Sequence, residues 1–201
     1  MFYRPEDGHP LPHNPFKAMI VPRPIGWISS VDAQGRANLA PYSFFNGVSD
    51  EPPMVMFSAT GTKEGLEEIK DSVANIRATG EFTVNLVGAR MRDEMNVSSG
   101  IYAHGDDEFA RAGLEKLPGE TVAAPRVKGA PAALECRLWR EIELPGGNLV
   151  IIGQVSGIHI DEAHLKDGIF DVTSFRPLAR LGYHDYTVVE SVFALKRPHQ
   201  G

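Results

Sequence analysis

Apolar and polar residues alternate along several short stretches of the chain, a pattern typical of strands that bury one face. The clearest stretch is Glu81 to Val87, in which every second residue from Phe82 to Leu86 is apolar. Other β-prone stretches lie between turn residues, at Ile25 to Val31, Arg36 to Phe45, Pro53 to Ser58, Leu134 to Leu144, Leu149 to Ile160 and Leu178 to Val189. The pattern therefore predicts many antiparallel strands.

Two of the turns predict hairpins between neighbouring strands. Asp32 to Gly35 separates the first two stretches, and Pro145 to Asn148 separates Leu134 to Leu144 from the stretch that follows it. Pro118 to Pro131, rich in Pro, Ala and Gly, is expected to form an exposed loop.

A few helices are predicted between the strands. Apolar residues recur at helical spacing at Leu66, Ile69, Val73 and Ile76. We expect a short turn at Leu66 to Ile69 and a new helix from Ser72, with Asp71 as its N-cap and Gly80 at its C-terminus. Asp106 and Asp107 are expected to cap a second short helix that runs through Ala112. The elements favour a mainly β barrel or sandwich over a βαβ array.

Composition narrows the class of protein. A chain of 201 residues with 42% hydrophobic and 23% charged residues is expected to form one globular domain, 1–201, with a Pro-rich N-terminal arm over about 1–20. A net charge of -6 without a basic stripe argues against nucleic-acid binding, and no apolar run is long enough to span a membrane. We expect a cytoplasmic protein. Its single cysteine, Cys136, forms no internal disulfide, so electron chemistry requires a bound cofactor.

The first candidate for chemistry is the hairpin that joins Trp27 to Ser30 with Asn38 to Asn46. An isoalloxazine ring needs flat apolar walls, backbone amides and small hydroxyls, and this run supplies all three. Pro41 lacks an N–H, so an irregular strand is expected there. The alternative is an ordinary barrel strand whose aromatic residues belong to the core.

The second candidate is Lys70-Asp71-Ser72, followed by Asn75. The ammonium group of Lys70, the hydroxyl of Ser72 and the amides of a helix N-terminus would together hold a phosphate. The alternative is a solvated helix face.

Together these motifs resemble the flavin reductase-like, FMN-binding split-barrel proteins, which include flavoredoxin and the reductase components of two-component monooxygenases. The resemblance covers about Pro22 to Val189. The residues that carry it are Arg23-Pro24, Ile28-Ser29-Ser30, Gly35, Asn38 to Asn46, Pro52-Pro53, Lys70-Asp71-Ser72, Asn75-Ile76, Glu81-Phe82 and Val84-Asn85.

The resemblance implies an antiparallel, Greek-key split β-barrel with a few inserted helices, and a non-covalent FMN site. The implied cofactor-binding residues are Ser29, Ser30, Asn38, Ala40, Pro41, Tyr42, Ser43, Phe44, Ser58, Lys70, Asp71, Ser72 and Asn75. The first group would line the ring and ribityl chain, and the residues around Lys70 would hold the phosphate. Family members are usually homodimers with the flavin beside the interface.

The implied activity is hydride transfer from a transiently bound NAD(P)H to the flavin, with no side chain as acid or base. Electrons would then pass to free flavin, a monooxygenase or another acceptor. Two alternatives remain: an FMN-binding electron carrier or sensor without significant NAD(P)H oxidation, and a split-barrel dimer that has lost its cofactor.

The chain departs from the family pattern at three places. The stretch from Thr60 to Ile69 is longer than expected, Ser72 stands in place of a threonine, and Tyr183 replaces a glycine. The ring of Tyr183 is expected to cover the flavin or to restrict access to it.

Other motifs give no competing site. No His-x-His or His-Glu-x-x-His occurs, so no structural metal is predicted, and no Rossmann or P-loop motif is present. His159 and His104 are each expected either near a nicotinamide or, more simply, as hydrogen-bonding residues at a strand end. Cys136 is interpreted as a small buried hydrophobe.

Overall fold

A computed structural model describes residues 1–60, 62 and 69–198. The strands are β1 (Arg23–Pro24), β2 (Gly26–Val31), β3 (Ala37–Tyr42), β4 (Phe45–Asp50), β5 (Pro53–Thr60), β6 (Glu81–Leu86), β7 (Lys116–Leu117), β8 (Arg126–Val127), β9 (Ala132–Leu144), β10 (Asn148–Ile160), β11 (Leu165–Lys166), β12 (Ile169–Phe170), β13 (Leu178–Arg180) and β14 (Tyr186–Val188). The α-helices are α1 (Phe16–Met19), α2 (Asp71–Thr79), α3 (Arg92–Val97), α4 (Glu108–Arg111) and α5 (Val172–Phe175). Short 3₁₀ turns lie at Pro5–Asp7, Ala89–Met91, Pro145–Gly147 and Glu162–His164.

Seven strands form one antiparallel sheet in the order β3-β2-β6-β9-β10-β5-β4. The predicted hairpins at Asp32 to Gly35 and Pro145 to Asn148 are both confirmed, and the second joins the long strands β9 and β10. A separate sheet has the order β1-β13-β14. No helix among the described residues is long and apolar enough to cross a membrane.

Apolar clusters lie on both faces of the sheet at β2 and β6, so these two strands are buried on both sides. In β2 all six residues are buried, and the neighbours Trp27 and Ile28 point into different apolar clusters. Ile28 packs with Phe57 and Phe82 and with the buried face of α2. Trp27 packs with residues of α3 and α4, such as Met95 and Phe109. Strand β2 thus connects both clusters.

Several predicted strands end differently in the structure. The predicted strand Leu178 to Val189 is wrong as a single element, because the chain reverses around Gly182 and pairs β13 with β14. The predicted strand Arg36 to Phe45 ends at Tyr42, and Phe45 already belongs to β4. The irregularity expected at Pro41 is also absent. Strand β3 pairs with β2 in one register, since an edge strand tolerates a missing N–H.

The predicted loop Pro118 to Pro131 is largely irregular but not exposed throughout. Val122 and Ala124 are buried, and β8, which lies in this region, pairs with β7 just before it. The loop covers the sheet, so apolar residues within it face the core.

The helix predictions hold with one shift. Helix α2 begins at Asp71 with Lys70 as its N-cap, so the predicted cap is one residue too late, and the Lys70 side chain makes no capping hydrogen bond. The helix ends as expected at Gly80, whose φ is 73°. Asp107 caps α4 by accepting from the amides of Phe109 and Ala110. The turn predicted at Leu66 to Ile69 and the long stretch before Lys70 fall mainly outside the described residues.

Candidate functional site

A cavity of about 980 Å³ opens beside the edge strand β3 and the N-terminus of α2. This volume is in the range that proteins use for small-molecule ligands. Ten of the thirteen predicted site residues line it: Asn38, Ala40, Pro41, Tyr42, Ser43, Phe44, Ser58, Lys70, Asp71 and Ser72. The fold therefore brings together two predicted stretches that lie far apart in sequence.

Tyr42 joins the two stretches directly. Its hydroxyl is hydrogen-bonded to the hydroxyl of Ser72, and the ammonium group of Lys70 lies 5.6 Å from the centre of its ring. Its ring also packs on that of Phe57, 4.7 Å between centroids. Burial raises the pKa of Tyr42 to about 12, so the phenol stays protonated at neutral pH.

The other three predicted residues do not line the cavity. The Ser29 hydroxyl donates to the carbonyl of Pro125, on the side of the sheet covered by the loop. The side-chain amide of Asn75 donates to the Ser30 hydroxyl at 3.1 Å, which fastens α2 to β2. All three are buried. Their contacts support the two elements that form the cavity.

The cavity also has lining residues that the sequence reasoning missed. They come from the N-terminal arm (Phe16 and Lys17), from the segment 98–102, from α4 (Glu108) and from the β9–β10 hairpin (Leu144, Asn148, Val150 and Ile152). No local motif marks these residues. They reach the cavity through tertiary contacts between segments distant in sequence.

Glu108 is a buried carboxylate at the start of α4, with 6% of its surface exposed. Its Oε2 accepts from the backbone N–H of Leu39 at 3.0 Å. In the amide orientation that satisfies both groups, the nitrogen of Asn38 donates to Glu108 Oε1 at 3.2 Å. Burial raises the pKa of Glu108 above its ordinary value.

The N-terminal arm is held over one side of the cavity by Arg23. Its guanidinium donates to the carbonyls of Lys17, Ile20 and Leu181, and its Cζ lies 5.6 Å from the centre of the Phe44 ring. Burial, together with the positive charge of Arg180, lowers the pKa of Arg23.

Two histidines and Tyr183 lie outside the cavity lining. His159 hydrogen-bonds Glu135 at 2.5 Å, and His104 contacts Asp71 at 2.5 Å. The ring of Tyr183 packs on His13, 5.9 Å between centroids. Cys136 is buried, as expected, and burial raises the pKa of its thiol.

Residues 18–187 match the family model described as the flavin reductase like domain. An uncharacterized protein of Deinococcus radiodurans is 37% identical over 188 residues, which are 90% of this chain and 82% of the relative. The matched region contains both stretches that line the cavity.

Solved structures are similar over nearly the same length. The nitrilotriacetate monooxygenase component B from Bacillus cereus is 31% identical, with a TM-score of 0.83 and 90% of each chain covered. A Shewanella frigidimarina protein, named as a flavin reductase with a split barrel domain, is 22% identical, with a TM-score of 0.81, covering 91% of this chain and 90% of its own. The predicted mainly β, antiparallel split barrel with inserted helices is confirmed.

Proposed function

The chain belongs to the flavin reductase-like domain family and is a flavin-related oxidoreductase, and from this premise we propose that it binds FMN non-covalently in the cavity. We further propose that it oxidises NAD(P)H and passes the electrons to free flavin or to a partner protein. The component B relative, by its name, belongs to a monooxygenase system, which supports an acceptor protein for this chain too. The protein would act as a cytoplasmic homodimer.

One observation carries the proposal: the apolar wall and the polar end predicted for a flavin lie in the same cavity. Tyr42, Phe44 and Ala40 supply a broad apolar and aromatic surface. Lys70 and Ser72 supply a cation and a hydroxyl at the start of α2, where helix amides also favour an anion. This set of donors matches a flat ring that carries a phosphate at the end of a polar chain.

Each lining residue would have a positioning role in this proposal. Residues 40–44 would hold the ring, and the side chains of Asn38, Ser43 and Ser58 would hydrogen-bond its polar atoms. The Lys70 ammonium, the Ser72 hydroxyl and the backbone N–H of Asp71 would hold the phosphate end. Ser29, Ser30 and Asn75 would hold strand β2 and helix α2 in position through buried contacts outside the cavity. When bound, the flavin supplies the hydride-accepting chemistry, so no side chain needs to act as an acid or base.

The test is FMN titration of the purified apoprotein, followed by steady-state NADH and NADPH consumption with excess FMN. We expect saturable binding with one FMN per chain, and nucleotide consumption that depends on the flavin. Binding without consumption would favour the electron carrier or sensor, and an absence of binding would contradict the proposal.

Matched variants locate the site. Ser72→Ala is expected to weaken FMN binding about tenfold, since it removes a hydrogen bond to a charged group. The exposed Ser191→Ala should leave the affinity unchanged. Equal affinities in both variants would place the phosphate elsewhere.

A further inference from the structure

The contacts of Glu108 determine which atoms of the Asn38 side chain can contact a ligand in the cavity. Its two oxygens are both engaged by N–H groups, one from the Leu39 backbone and one from the Asn38 side chain. In the same arrangement, the oxygen of the Asn38 amide accepts from the N–H of Leu39 at 3.2 Å. Asn38 and Glu108 are both buried, and both line the cavity.

The ionised carboxylate of Glu108 offers acceptors and no donor, so it faces the nitrogen of the Asn38 amide and not its oxygen. An amide nitrogen carries two hydrogens, and Glu108 engages one of them. The single N–H of Leu39 is shared between Glu108 Oε2 and the amide oxygen, and the second amide hydrogen is the donor that Asn38 can still offer.

The position of this pair in the sheet strengthens the argument. Strand β3 is an edge strand with β2 as its partner in the sheet, so within the described part of the chain one of its edges has backbone groups that no strand pairs. Glu108 pairs one of these, the N–H of Leu39, while Pro41 has no N–H to offer. The side-chain donor of Asn38 therefore matters more at this wall than it would beside an ordinary strand.

We propose that Glu108 is a positioning residue that sets the polarity of the Asn38 amide, so that Asn38 donates an N–H to an acceptor atom on the edge of the bound flavin. This inference rests on the proposed function, because it needs a flavin in the cavity. The edge of the isoalloxazine ring consists mainly of acceptor atoms. If the Asn38 amide were turned around, its oxygen would face one of these acceptors and the hydrogen bond would be lost. Glutamine at position 108 would accommodate either orientation of the amide.

The test is a double-mutant cycle on FMN affinity with Glu108→Gln, Asn38→Ala and the double variant. Each single variant should bind FMN about tenfold more weakly, and the double variant should lose little more than either single variant. The visible absorption spectrum of bound FMN should shift alike in both single variants. Glu115→Gln, at an exposed glutamate paired with Lys128, is the control and should stay within twofold of wild type.

The outcomes separate the two proposals. If wild type binds FMN and Glu108→Gln stays within twofold of it, or if the losses multiply to about a hundredfold, the role of Glu108 is overturned and the proposed function stands. If wild type takes up no FMN, the proposed function fails and this inference with it.

A measurement on the wild-type protein covers the case in which a variant fails to fold. FMN should shift the side-chain amide resonances of Asn38 in a ¹⁵N–¹H spectrum, in the direction of a newly donated hydrogen bond. Unchanged resonances in the presence of saturating FMN would overturn the inference.

Discussion

Glu135 is a charged residue with no exposed surface, and the structure surrounds its carboxylate with donors. It accepts from the backbone N–H of Glu120, from the N–H and hydroxyl of Thr121, and it hydrogen-bonds the ring of His159. Desolvation alone would raise its pKa. These hydrogen bonds, led by that of the Thr121 hydroxyl, outweigh desolvation and hold the pKa of Glu135 at about 2.

We therefore predict that Glu135→Gln destabilises the protein at pH 7 by about 3 kcal/mol, because an amide group cannot accept from all these donors. The pKa is lowered from 4.5 to about 2, so this contribution is present above pH 4.5 and is lost as the pH falls through 2. Urea unfolding at pH 7 and pH 3 should show the difference between variant and wild type shrinking in acid. The exposed Glu143→Gln is the control, and equal stabilities of Glu135→Gln and wild type at pH 7 would contradict the prediction.

Tyr183 adopts a backbone conformation that favours glycine. Its φ is 55°, in the left-handed region, at the turn between β13 and β14. This explains in physical terms why a glycine would suit the position and why tyrosine is a costly replacement.

Comparing Tyr183→Gly with Tyr183→Ala isolates this backbone cost. Both variants remove the contact with His13, but glycine alone relieves the left-handed strain. We expect the glycine variant to be more stable than the alanine variant by about 1 kcal/mol in chemical denaturation. An alanine variant of equal or greater stability would show that the turn carries no such strain.

Among the elements, β10 depends on a glycine where its pairing with β9 shifts register. The register changes between Ile152 and Gly153, and a Cβ on Gly153 would lie 2.4 Å from the ring of Phe82. Phe82 is fully buried in the core cluster that contains Ile28 and Phe57, so it has little room to move. The register shift therefore occurs at the point where β10 passes close to the Phe82 ring.

Gly153→Ala should accordingly destabilise the protein by about 2 kcal/mol, through overpacking against Phe82. Gly157→Ala in the same strand is the matched control, because its Cβ would meet its nearest neighbours at 3.4 Å, an ordinary contact. Thermal unfolding should show a clear loss for the first variant and a small change for the second. Similar unfolding midpoints for the two variants would mean that the Phe82 ring moves aside freely.

For the whole molecule, Arg23 joins segments that are far apart in the chain. It bonds the N-terminal arm through Lys17 and Ile20, and it bonds Leu181 in the C-terminal part of the chain. Because Phe16 and Lys17 line the cavity, this one guanidinium couples the site to the packing of the arm.

Arg23→Ala leaves three carbonyls without their donor, so we predict a loss of about 3 kcal/mol in the free energy of unfolding. We also expect faster trypsin cleavage after Lys17, since the arm loses its anchor. Arg23→Lys should recover little, because an ammonium group lacks the planar fork that reaches all three carbonyls. The exposed Arg92→Ala is the control, and an arm that resists trypsin equally in all four proteins would contradict the prediction.

Much of the cavity lining could be predicted because its residues lie close together in sequence. Asn38 to Phe44 and Lys70 to Ser72 each carry their residue types within a few positions, and both stretches line one cavity. Ser29, Ser30 and Asn75 show the limit of this reasoning. They belong to the same motifs, yet Ser29 and Ser30 point to opposite faces of β2, which is covered on both sides, and Asn75 faces β2 from α2.

Strand period, turn residues and helix caps determined most of the secondary structure from the sequence alone, because these signals act over a few residues. The tertiary structure decided the rest. It set the break at Gly182, the burial of the loop at 118–131, and the approach of Phe16 and Glu108 to the cavity. These features arise from contacts between segments far apart in the chain, and a one-dimensional pattern carries no information about which distant segments meet.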